Sequence, residues 1–262
     1  MNRYIVFMKQ VPLSTKIAMD PITRTLIRSS AASRTNPDDL HALIAATEMR
    51  DREGGGEVVA VSMGPEKAIE VLREALQLGA DKAVLISDRA FAGSDTLCTS
   101  LVLAAAVRHI GSYRALFFGR MAIDGDTAQV GPEVAAHLKL PQITALESIE
   151  SINKTDIIVK RTARHATQLL QVSLPCVLIV SKNVNTLPHP TLAGWETAQE
   201  QDIEVLNAEA LHLTADEVGL DASPTRVVET TIPQSDRQIE WVTETKQLVS
   251  KLTPFIGSTR LA

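Results

Sequence analysis

Apolar residues in this chain recur in short dense runs, each followed by a longer stretch of mixed polar and apolar positions. "YIVFMKQV" (4–11), "EVVAVSMG" (57–64), "KAVLIS" (82–87) and "ALFFGR" (115–120) read as strands. Between them lie helical patterns. "NPDDLHALIAATEMRDREG" (36–54) has Asn36 as a cap, Pro37 in its first turn, and Asp38 and Asp39 to complement the positive end of its dipole. "PEKAIEVLREALQLG" (65–79) starts on Pro and stops on Gly. "SDTLCTSLVLAAAVRHIG" (94–111) is nearly all apolar and predicts a buried helix. "EVAAHL" (133–138) predicts a fourth helix.

Strands and helices in alternation predict an α/β fold, a doubly wound, mostly parallel sheet with helices on both faces. Ligands of such sheets sit beyond the carboxyl ends of the strands, where strand order switches. Those ends are "KQVP" (9–12), "SMGP" (62–65) and "GRMAIDGD" (119–126), three separate pieces that the fold brings to one crevice. After residue 140 the rhythm changes. "ITALESIE" (143–150), "DIIVKRTA" (156–163), "TQLLQVSLP" (167–175) and "CVLIVS" (176–181) are short strands that predict antiparallel additions to the sheet. "KNVNTLPHPTLAGWE" (182–196) reads as a long loop, and "DIEVLNAEALHL" (202–213) returns to regular structure. From Thr214 the chain turns polar, with prolines at 224, 233 and 254, and only "TETKQLVSKL" (243–252) looks helical. The expected organisation is therefore a domain over 1–213 and an extended C-terminal arm over 214–262 that wraps a partner.

Composition narrows the function. The 262 residues, 45% hydrophobic and 22% charged, are enough to bury a core without staples. A net charge of −5 and an aromatic content of 3% argue against a nucleic-acid binder, which needs a basic surplus or a stacking platform. Cys98 and Cys176 stand alone in apolar segments and read as buried thiols. The apolar run at the start is broken by Lys9 and Gln10, which suits a first strand better than a cleaved leader. No apolar run approaches the ~20 residues of a membrane span, so no membrane span is expected and the cytoplasm is the expected compartment.

The densest chemistry is "AIDGDTAQVGP" (122–132), with two carboxylates, a hydroxyl, an amide and two glycines but no cation. Asp124 and Asp126 have the spacing that opens a calcium loop, yet the fifth and twelfth positions are Ala128 and Ala135, so no metal is expected. A strand end running into a helix start instead favours a phosphate, held by outward N–H groups and the helix dipole. Gly125 lets the chain approach a ligand, Thr127 and Gln129 add neutral donors, and Asp126 is a candidate cap. A capped helix start with an incidental glycine is the competing reading. Three of the six histidines, His41, His109 and His137, fall in predicted helices without a partner. Neither a G-x-S-x-G elbow nor a P-loop occurs. The crevice thus offers no acid, base or nucleophile, and a bound cofactor would carry any reaction.

These stretches together resemble the β subunit of electron-transfer flavoproteins. The resemblance rests on "VFMKQVP" (6–12), "DPITRTLIR" (20–28), "NPDDLHAL" (36–43), "VSMGP" (61–65), "LGADKAVLISDRAFAGSDTLCTS" (78–100) and "FFGRMAIDGDTAQVGPEVAAHL" (117–138), in order. It continues more loosely through "LPCVLIV" (174–180), "NTLPHPTL" (185–192) and "ASPTR" (222–226). It implies a sheet like that of the adenine-nucleotide α-hydrolases, and an arm that packs on an α subunit. The nucleotide contacts it implies are Phe7, Asn36, Pro37, Asp38, Asp39 and Met63, with the run Gly119, Arg120, Met121, Ala122, Ile123, Asp124, Gly125, Asp126, Thr127, Ala128, Gln129 and Val130. "DGDTAQVGP" and "DPITRTLIR" resemble the bifurcating branch. Its β site holds FAD, takes a hydride from NADH and sends electrons onward to an acyl-CoA dehydrogenase-like partner. The alternatives are a structural AMP in a non-bifurcating subunit, with electrons carried only by the FAD of the α subunit, or an adenine-nucleotide sensor with no redox role. Leu13 stands where the family has Asp, and Leu187, Pro188 and His189 replace Pro-Arg-Tyr. The partner-recognition loop is expected at about 183–202 with Leu192 as its anchor. The family's lysine-rich stretch after that loop is here "ETAQEQD" (196–202), which predicts a partner with a neutral or basic docking surface.

Overall fold

A computed structural model of the chain describes residues 2–13, 32–228 and 240–256. The stretch "DPITRTLIR" lies outside the described residues. The chain forms two compact units, Met1–Val228 and Glu229–Ala262. In the first unit the elements run β1 (Arg3–Phe7), β2 (Gln10–Pro12), β3 (Ser33–Thr35), α1 (Pro37–Arg52), β4 (Glu57–Met63), α2 (Ile69–Gln77), β5 (Lys82–Ile86), α3 (Thr96–Ile110) and β6 (Ala115–Gly119). They continue with α4 (Val130–Leu138), β7 (Gln142–Ile152), β8 (Asp156–Ala163), β9 (Ala166–Ser173), β10 (Cys176–Val180), α5 (Leu192–Glu200), β11 (Ile203–Leu206) and α6 (Gly219–Ala222). The second unit carries one described helix, α7 (Thr245–Ile256), mostly exposed. Among the described residues no helix is long and apolar enough to cross a membrane.

The main sheet has nine strands in the order β11-β5-β4-β1-β6-β10-β7-β8-β9. Every pair from β11 to β7 is parallel, and the β7–β8 and β8–β9 pairs are antiparallel. This is the doubly wound, mostly parallel sheet with antiparallel additions that the pattern predicts. Burial on both faces explains the dense apolar runs. In β1, Tyr4 and Val6 join a core beneath α1 and α2, while Ile5 and Phe7 join a second core beneath α3 and α4. Phe117 and Phe118 of β6 divide in the same way.

Three expectations are corrected. β10 is not one of the antiparallel additions but a parallel strand between β6 and β7. All five of its residues are buried, as a central parallel strand requires, whereas β9 at the sheet edge is mostly exposed. The run "YIVFMKQV" is not one strand. It leaves the sheet after Phe7, and Gln10–Pro12 pairs with Ser33–Thr35 as a separate antiparallel ribbon. The break occurs because the start of α1 takes the backbone groups of Lys9. Finally, "KNVNTLPHPTLAGWE" is not loop to its end. Thr191 caps α5 by accepting from the Gly194 amide at 3.0 Å, and the helix begins at Leu192.

Residues 214–228 belong to the first unit. The Ser223 hydroxyl accepts from the Asp95 amide at 2.9 Å, and the Thr225 hydroxyl donates to Asp95 Oδ2 at 2.7 Å. Asp95 also caps α3, accepting from the Cys98 amide at 3.1 Å. This segment therefore straps the start of that helix.

Candidate functional site

Strand order turns outward on either side of β1, with β4 and β5 on one flank and β6 and β10 on the other. The carboxyl ends of β4, β1 and β6 consequently lie side by side, and a crevice opens there. Its walls are the start of α1 and the segment 120–129 that joins β6 to α4. Every residue from Ile123 to Gln129 in that segment is exposed.

Asn36 holds the two walls together. Its side chain is fully buried and does not cap α1. Instead Nδ2 donates to Met121 O at 3.0 Å, and the Ile123 amide donates to Oδ1 at 3.2 Å. The expected cap is thus corrected: the side chain is drawn off to staple the 121–123 backbone, while the Asn36 carbonyl still accepts from the Asp39 amide at 3.1 Å. Asp126 is also not a cap. It has φ 53°, and its amide donates to Ala122 O at 2.9 Å, closing a turn ahead of the helix. The position before α4 is Gln129, whose side chain makes no cap bond. Gln129 Oε1 lies instead 3.1 Å from the Thr96 hydroxyl of α3.

The two glycines at the crevice do different work. A Cβ on Gly119 would lie 2.3 Å from Asp39 Oδ1 and 2.6 Å from the Asp38 carbonyl carbon. Gly119 is therefore needed for β6 to approach α1. Among the described residues a Cβ on Gly125 would meet nothing within 4 Å, so this glycine faces open space. Ala128, at φ 54°, shares with Asp126 a left-handed backbone that costs a non-glycine residue roughly 1–2 kcal/mol. Such turns cluster at ligand clamps and make concave sets of N–H donors.

Electrostatics complete the picture. Asp39 is buried against Gly119, and its Oδ2 accepts from the Lys9 amide at 2.8 Å. Burial pushes its carboxyl up to about 7, and the Asn36 side chain and the Lys9 N–H together offset only part of that rise. Lys9 Nζ reaches Asp124 Oδ1 at 2.8 Å, and Arg120 Nε lies 3.6 Å from Asp38 Oδ2. The motif lacks a cation in sequence, yet two stand at the crevice. No local signal marks Lys9 as a site residue, because it lies at the end of a different strand, 115 residues before Asp124.

The other sequence-predicted residues fall in two groups. Pro37, Asp38, Arg120, Met121, Ala122, Ile123, Asp124, Thr127 and Val130 lie on the crevice walls, and Met63 ends β4 beside them. Phe7 is elsewhere: its ring is in the core beneath α3 and α4, stacked on Phe118 with centroids 4.2 Å apart, so only its backbone borders the crevice. Leu192 is the first residue of α5 and is 74% exposed, with Trp195 50% exposed beside it in sequence. The helix packs on the end of α2 through Gly194, where a Cβ would lie 2.6 Å from Gln77 O. Arg73 Nη1 donates to Ala198 O and Gln201 O at the helix end.

A family model described as electron transfer flavoprotein domain matches residues 23–211. The chain is 40% identical over 256 residues to the electron transfer flavoprotein subunit beta of Thermoanaerobacterium thermosaccharolyticum, covering 97% of each chain. It is 41% identical over 256 residues to the caffeyl-CoA reductase-Etf complex subunit CarD of Acetobacterium woodii, covering 95% of this chain and 97% of that one. Protein FixA of Azorhizobium caulinodans is 41% identical over 230 residues, covering 85% of this chain and 82% of that one.

Proposed function

Because the chain belongs to the electron transfer flavoprotein family, as a β subunit, we propose that it binds FAD in the crevice beside β1 and serves electron bifurcation. In this reading it pairs with an α subunit, receives electrons from NADH and passes them to an acyl-CoA dehydrogenase-like partner. The observation that carries it is Asn36, a buried amide that fixes the 121–123 backbone across the crevice while residues 123–129 stay open. That arrangement suits a ligand read through the main chain.

The residues present fit the group. Gly125 leaves room where a side chain would stand, Asp126 and Ala128 turn the exposed segment through left-handed backbone, and Thr127 offers a hydroxyl donor. Asp39 and Asn36 fix the walls and keep their side chains off the ligand. A flavin bound there supplies two-electron exchange with NADH and single-electron delivery onward. The relative CarD is named as a subunit of a caffeyl-CoA reductase-Etf complex, and its similarity along almost the whole chain supports a complex with a reductase here. Residues 214–228 strap α3, and the chain beyond them is the arm that reaches the α subunit. Helix α5, with Leu192 and Trp195 exposed and Glu196, Glu200 and Asp202 following, fits a dehydrogenase with a neutral or basic docking surface.

Nucleotide extracted from the purified complex of this chain with its α subunit tests the reading. Two FAD per pair are expected. One FAD with one AMP contradicts bifurcation and makes the crevice a structural nucleotide site, and one FAD with nothing else contradicts nucleotide binding altogether.

A further inference from the structure

We propose that Lys9 is the phosphate-binding cation of the crevice, parked on Asp124 until an anion displaces that carboxylate. The inference rests on the crevice being a nucleotide site and adds to it a residue from outside the 119–130 motif. Its basis is the way Lys9 is held. The Lys9 amide donates to Asp39 Oδ2 at 2.8 Å, and its carbonyl accepts from the Asn36 amide at 2.8 Å. Its backbone is therefore fixed on both sides by the start of α1, at the place where β1 leaves the sheet. The side chain is not fixed in this way. It is 47% exposed and spans to Asp124, itself 30% exposed, with Nζ to Oδ1 at 2.8 Å.

Without that cation the segment is a poor home for a phosphate. It carries Asp124 and Asp126, two carboxylates that repel an anion. Arg120, the cation nearest in sequence, leans toward Asp38 at 3.6 Å and is 54% exposed. Lys9 lies against Asp124 itself, one residue from Gly125, where the backbone faces open space. An exposed ion pair contributes little, so exchanging its carboxylate for a phosphate oxygen costs little. A phosphate bearing more than one charge is the better partner for an ammonium, which acts as a point charge and needs no fixed fork. The Lys9–Asp124 pair thus offsets the Asp124 charge when the crevice holds no anion and frees an ammonium for a phosphate oxygen when a diphosphate arrives. Recognition of the phosphates is then separable from recognition of the adenosine.

The test uses the complex with its α subunit, depleted of nucleotide and titrated calorimetrically with adenosine and with ADP. ADP stands for the diphosphate half of FAD. Lys9→Gln is expected to bind ADP about tenfold more weakly than wild type, the loss of one charge-assisted contact, with a shallower salt dependence. Adenosine affinity is expected to stay within about twofold, because an exposed side chain is removed and the fixed backbone is kept. Asp124→Asn is expected to tighten ADP about fivefold, and that gain is expected to at least halve in the Lys9→Gln background if the two residues are coupled. Equal weakening of adenosine and ADP would show Lys9 to be structural and would overturn the inference, as would unchanged ADP binding. Equal gains from Asp124→Asn in the two backgrounds would also overturn it, by reducing Asp124 to simple repulsion. If wild type binds neither adenosine nor ADP, the nucleotide reading of the crevice fails and the inference falls with it.

Discussion

At the crevice, Asn36 and Asp39 are buried, and both spend their side chains on neighbouring backbone. At α5 the arrangement is reversed: Leu192 and Trp195 stand in solvent, and of that helix only Ala198 is buried. The crevice is therefore framed by buried polar side chains that hold backbone in place, whereas α5 presents apolar side chains to solvent. A nucleotide, small and rich in acceptors, is matched by the first. A protein partner that buries apolar side chains is matched by the second. It follows that changes to the crevice frame should cost stability and ligand together, while changes beneath α5 should cost recognition with little loss of fold.

The largest effect is expected at Gly119. A methyl group there meets Asp39 Oδ1 at 2.3 Å and two backbone atoms at 2.6 and 2.7 Å, so β6 or α1 must move. Gly119→Ala is expected to cost ~3 kcal/mol or more, the upper part of the overpacking range, and to empty the crevice of nucleotide. Denaturant unfolding and extracted nucleotide measure both effects. Loss of nucleotide with unchanged stability would show Gly119 to be a ligand contact rather than part of the frame.

Next comes the buried charge of Asp39. Its carboxyl is raised from 3.8 to about 7 by burial, so the neutral form suits the folded chain. This group's contribution is complete below about pH 4 and is lost as pH rises through about 7, where the folded chain must hold a buried carboxylate. Asp39→Asn fixes the neutral form and leaves an oxygen for the Lys9 amide. The variant is expected to match wild type below about pH 4 and to exceed its stability by a few kcal/mol at pH 8.5. A stability difference that stays flat with pH would mean that Asp39 does not titrate within this range.

The smallest expected effect on the fold, and the sharpest on the comparison, is Gly194→Ala. Its methyl group would press on Gln77 O at 2.6 Å and push α5 off α2. A stability loss of ~1 kcal/mol is expected, because the helix buries little. Electron transfer to the partner dehydrogenase should show a raised KM with an unchanged flavin spectrum. A lowered kcat at constant KM would place the role of α5 elsewhere than docking.

Most of the fold was legible in the chain. Runs such as "VLI" in β5 and "LFF" in β6 are apolar on both faces, which only a covered parallel sheet explains. Misreadings arose where a short-range rule met a long-range partner. Asn36 has the composition of a cap, but its partners lie 85 and 87 residues away at Met121 and Ile123. Lys9 looks like part of a strand until Asp124, 115 residues on, is brought beside it. Two glycines that look alike in sequence proved opposite in use, one closing the gap between β6 and α1 and one leaving a gap open. The start of α5 was hidden by the prolines before it, although Thr191 marks it.

The most direct measurement is the flavin content of the α-subunit complex carrying Gly125→Val, set against wild type. A Cβ at this position meets nothing within 4 Å among the described residues, so the added side chain is expected to intrude on what the crevice holds rather than on the fold. Two FAD per wild-type complex, falling to one in the variant with unfolding unchanged, is the outcome that a β-crevice flavin requires. Two FAD retained in the variant would contradict it and would move the second flavin away from residues 119–130.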